Sequence, residues 1–91
     1  MQPIAQAIPR ALAELLRGAP LSPGKIEFAW KAAVGPAMER VTAIRLEDHV
    51  LLVEADTVSW AREVSRAAPI ILRRMQGLIG AAVIREIIVR V

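Results

Sequence analysis

The chain has 91 residues, with ten arginines and two lysines against nine acids, one histidine and no cysteine. That length makes one domain near the lower limit of a self-sufficient core, while the cysteine count excludes disulfides and the usual Cys/His zinc site. A 55% apolar content must therefore stabilise the fold by packing, and it leaves surface over for a homodimer or another partner.

A net charge of +3 is compatible with nucleic acid without requiring it. Arginine dominance favours bidentate contact with phosphate or carboxylate. The longest stretch without a charge, Met75–Ile84, is far short of the roughly 20 residues of a spanning helix, so no membrane role is expected. No basic residue precedes Arg10 and no small-residue cleavage site is evident, which argues against a signal peptide and for a cytoplasmic location.

In chain order, Pro9 can open a helix over Pro9–Arg17, because Ile8, Leu12, Leu15 and Leu16 recur at helical spacing and Gly18 and Pro20 stop it. Ser22 is a plausible N-cap with Pro23 at the first helical position, and Ile26, Trp30, Ala33 and Val34 form the second helix's apolar face. Gly35–Pro36 ends or bends it, with one further turn over Ala37–Arg40.

From Val41 the period changes to two. Thr42, Ile44 and Leu46 alternate with Ala43 and Arg45, and Leu51, Val53 and Ala55 mark a second strand. Asp48–His49 between them is a turn pair that tolerates positive φ.

Asp56 or Thr57 can cap a third helix near Val58. Its stripe is Trp60, Val64, Ala67/Ala68, Ile71 and Met75, and Pro69 is expected to kink or break it. Gly77 and Gly80 close that helix, and Val83–Val91 reads as a strand. A helix between two strands of one sheet implies a right-handed crossover. The predicted fold is one α+β domain over residues 1–91, order ααββαβ, a three-stranded sheet with helices on one face, the architecture of KH-like modules. Residues 1–20 form a loosely packed N-terminal helix and residues 22–91 the core.

Trp30 and Trp60 could be stacking platforms for bases, but the stripes that continue from them favour core anchors. Gly77–Leu78–Ile79–Gly80 matches the G-x-x-G spelling of a KH loop, yet its apolar middle pair and its place between helix and strand favour helix termination. Arg62, Arg66 and Arg73 fall on one helix flank with Arg74 beside them, Arg45 lies on the alternate face of its strand, and Arg85 and Arg90 lie on the last strand. These seven are the nucleic-acid-binding candidates, set against a solvated face partly neutralised by Glu63 and Glu86. His49 reads as a turn residue, and Glu47–Asp48 as a soluble hairpin tip. No nucleophile elbow, phosphate-binding loop or dinucleotide fingerprint occurs, so no enzyme activity, cofactor or metal is expected.

Trp30…Val34–Gly35, Val41–Thr42, the hairpin Leu46–Leu52, Asp56–Thr57, Trp60–Ala61–Arg62–Glu63–Val64, Pro69…Leu72, Leu78…Gly80 and Val83…Ile87 follow one another in an order and spacing that resembles the DciA family of bacterial replication proteins. The resemblance covers roughly Ile26 to Val91. It implies a KH-like domain that works with the DnaB-type replicative DNA helicase, assists its loading and is not itself an ATPase. It also implies contact with DNA; the arginine grouping makes a weak contact the expectation, and single-stranded, forked and duplex forms stay open. Val41 stands where the family often has histidine, and His49 replaces a hairpin glycine. The chain ends at Val91 without the basic extension of many members, which shifts weight from DNA toward the helicase. The competing reading is a KH-like RNA-binding or dimerisation module with no helicase role.

Overall fold

The computed structural model describes residues 10–11 and 20–91. Its elements run α1 (Pro23–Val34), α2 (Pro36–Arg40), β1 (Thr42–Glu47), β2 (Val50–Ala55), α3 (Val58–Ile79) and β3 (Glu86–Arg90). This is the predicted ααββαβ order, with the short α2 taking the second helical place. The predicted helix Pro9–Arg17 lies outside the described residues apart from Arg10 and Ala11, which are helical.

Local chemistry sets most boundaries. The Ser22 hydroxyl accepts from the Lys25 N–H at 3.1 Å, and Pro23 begins α1 where a missing N–H costs nothing. Gly35, at φ 85°, turns the chain between α1 and α2 in a conformation that resists a side chain. At the other capped helix, the Thr57 hydroxyl accepts from the Trp60 N–H at 3.1 Å.

The hairpin turns on Asp48 and His49, at φ 49° and 67°, the double left-handed geometry that matches the twist of its strands. Register follows: Thr42, Ile44 and Leu46 stand opposite Ala55, Val53 and Leu51. Strand β3 then joins β2 in parallel, Val50 opposite Glu86 and Val53 opposite Val89, so the mixed sheet has order β1-β2-β3. A parallel partner needs a crossover, and α3 supplies it.

Both long helices cover the face that carries Leu51 and Val53. Ala29, Trp30, Ala33, Val64, Ile71, Met75, Leu78, Ile79 and Ile84 complete the buried core, with Ile44, Leu46, Ile87 and Val89 packed against it. Among the described residues, nothing covers the opposite sheet face.

Three expectations need correction. Pro69 does not break α3, which runs continuously from Val58 to Ile79. Pro69 is exposed, as is Ser65 one turn earlier, so the carbonyl left without a donor can be satisfied by water. The last strand begins at Glu86, not Val83. Gly80 at φ 105° ends the helix, and Val83 and Ile84 stay in the connecting loop, where Ile84 is fully buried. Trp60 is only half-buried and is not part of the core cluster. It shares the stripe of Val64 and Ile71 but stands one turn before the first buried residue of the helix.

Candidate nucleic-acid interface

The seven predicted arginines divide into three environments. Arg62, Arg66 and Arg73 lie within about 40° of one another around α3, opposite Val64, Ile71 and Met75, and span about 16 Å of its axis. All three are exposed. Arg66 meets Glu63 at 3.1 Å across one helical turn, a pair exposed on both sides and correspondingly weak. Neither Arg62 nor Arg73 forms an ion pair with a described residue. Ile70, about half exposed, sits among them.

Arg45 and Arg90 belong to the open sheet face. They line a shallow depression of about 280 Å³ with Ala43, Leu52 and Glu54. Each faces a carboxylate, Arg45 with Glu47 at 2.7 Å and Arg90 with Glu54 at 3.5 Å. Glu86 joins the same face through its register with Val50, so acids outnumber the two arginines there. This face offers phosphate little net attraction.

Arg74 and Arg85 are placed differently again. The Arg74 guanidinium donates to the Ala33 carbonyl at 3.3 Å, meeting an orphan acceptor in the last turn of α1 and tying the two long helices together. Arg85 lies in the α3–β3 connection, where its backbone N–H donates to the His49 carbonyl at 2.8 Å. The His49 ring stands 3.2 Å from the Val83 carbonyl through Nδ1, so the hairpin turn braces that connection twice. The structure therefore brings together Arg62, Arg66 and Arg73, and places the other four elsewhere.

The G-x-x-G spelling belongs to the end of α3. Leu78 and Ile79 are buried, and the Gly80 N–H donates to the Gln76 carbonyl, so the apolar middle pair serves the core. Trp30 is 2% exposed and offers no stacking face. Its indole N–H donates to the Thr42 hydroxyl at 2.9 Å, and that hydroxyl donates to the Met38 carbonyl at 2.8 Å.

Sequence reasoning missed Glu47 and Glu54 as the partners of Arg45 and Arg90. The alternation of β1 and β2 put Arg45, Glu47 and Glu54 on one face, but only the β3 register brings Arg90 there. It also passed over Glu27 and Glu39, which line a hollow of about 290 Å³ with Trp30, Thr42, Ala43 and Ile44. Among the described residues, no cluster of metal-ligand type occurs and no helix is long and apolar enough to cross a membrane.

A small mixed-sheet α+β domain that turns a basic helical flank outward is the class these features define. Within that class, a family model described as "Dna[CI] antecedent, DciA" matches residues 3–89. The chain belongs to the DciA family, a family of DNA-replication proteins. No curated protein and no solved structure matches it.

Proposed function

We propose that this protein is a non-enzymatic replication adaptor that binds the DnaB-type replicative helicase, contacts DNA and assists helicase loading. The observation that carries the reading is the family match over nearly the whole chain. An adaptor needs two surfaces and no catalytic group. The outward flank of α3 supports the DNA surface: Arg62, Arg66 and Arg73 form a row of cations long enough to follow several phosphates, with only one weak internal pair. Exposed aromatic rings are lacking along this row, so contact is through phosphate, weak and strongly dependent on salt.

The test has two arms. Purified protein should co-elute with the host's replicative helicase and raise its loading on forked DNA in the absence of any nucleotide hydrolysis by the adaptor. Reversing Arg62, Arg66 and Arg73 to glutamate should weaken DNA binding and reduce the salt slope by about one unit for each phosphate that is no longer bound. No helicase complex at tens of micromolar protein, with the fold intact by circular dichroism, would sink the reading in favour of an RNA-binding or dimerisation module.

A further inference from the structure

Strand β1 is an edge strand, and a groove runs along it beside α1. Two adjoining hollows make that groove. One, of about 140 Å³, is lined by Pro23, Ile26, Glu27, Ile44, Arg45 and Leu46. The other is the 290 Å³ hollow that holds Glu39, and the two share Glu27 and Ile44. One end of the groove is thus mostly apolar, its one cation, Arg45, being paired with Glu47, and the other end carries two carboxylates, Glu27 and Glu39.

We propose that this groove seats a segment of the replicative helicase that presents apolar side chains next to a lysine or arginine. The inference rests on the helicase reading above and adds the surface and the chemistry of its partner. Three features select the occupant. First, neither Glu27 nor Glu39 pairs with a cation among the described residues, although the chain as a whole is basic. Second, the one polar group at the floor is already committed: the Thr42 hydroxyl accepts from Trp30 and donates to Met38. The carboxylates are therefore the acceptors left for a ligand, and they attract a cation and repel a phosphate. Third, the outer backbone edge of β1 makes no hydrogen bond to another described element. An extended segment can add to it through main-chain bonds while its alternate side chains enter the groove.

The arrangement separates two ligands by sign. Helix α1 packs over β1, whereas α3 packs over β2 and β3. DNA on the outward arginines of α3 and a basic segment on the β1 edge occupy different sides of the domain, so both can be held at once.

The experiment uses the full chain and the purified host helicase. Glu27→Lys with Glu39→Lys changes one exposed and one half-buried carboxylate, and a thermal melt checks that the fold is kept. Helicase affinity should fall at least tenfold while DNA affinity is kept or rises. Amide exchange over Thr42–Glu47 should slow when wild-type protein binds helicase, and Arg62→Glu with Arg66→Glu and Arg73→Glu should leave helicase affinity intact. Wild-type binding that the double reversal changes by less than twofold, or that leaves β1 exchange unaltered, would overturn the groove and spare the adaptor reading. A wild-type protein that does not bind the helicase overturns both.

Discussion

The surroundings of the two tryptophans differ more than their sequence contexts suggest. Each lies in an apolar helical stripe. Trp30, in the third turn of α1, is enclosed between helix and sheet, and its one polar atom is bonded to Thr42. Trp60, in the first turn of α3, keeps part of its ring in water and lies outside the core cluster. A stripe says which way a side chain points; enclosure also needs an element on the far side. At Trp30 both conditions hold, and at Trp60 only the first.

The comparison can be broken by substitution. Trp30→Ala should cost about 3–5 kcal/mol, because the ring is almost fully buried and packed in the core cluster. For a domain of this size that shifts the melting temperature by about 4–8 °C per kcal/mol, readable in a thermal melt. A loss no larger than that of Trp60→Ala would erase the distinction. Thr42→Val keeps the shape but strands a buried indole N–H, and a loss of about 1–3 kcal/mol is expected by denaturant titration. Adding Trp30→Phe, which removes the stranded donor, should make the Thr42→Val change nearly neutral in a double-mutant cycle. Trp60→Ala should cost only about 1–2 kcal/mol, in line with a ring that gives up part of its area to solvent. The smallest effect is expected at Glu63→Gln, about 0.5 kcal/mol or less, since its pair with Arg66 is exposed.

Features written within a few residues were legible in advance. Ser22 announces one helix start and the pair Asp56–Thr57 another, Asp48–His49 announces a tight turn, and strict alternation fixes which faces of β1 and β2 are inward. The misses share a cause. Pro69 is harmless because its helical face looks outward, and Ile84 is buried outside any regular element because the loop after Gly80 folds under the helix end. Both depend on neighbours distant in the chain. The same holds for the arginines. Helical spacing grouped Arg62, Arg66 and Arg73, and Arg45 meets Glu47 two residues on along the same strand, but nothing local reveals that Arg74 bonds the end of α1 or that Arg90 meets Glu54 on the neighbouring strand.

The parallel pairing of β2 with β3 also bears on the order in which the chain folds. The β1–β2 hairpin closes through a two-residue turn and can form within microseconds. Val50, however, pairs with Glu86, and closing that loop costs about 3 kcal/mol in chain entropy before any pairing repays it. Until α3 has formed and docked, β2 is itself a bare edge, with its buried-to-be Leu51 and Val53 in water. The rate-limiting barrier should therefore be crossed before β3 is fully seated, and substitutions at Ile84, Ile87 or Val89 should speed unfolding more than they slow folding. The moment of greatest exposure to aggregation is the interval between hairpin and crossover.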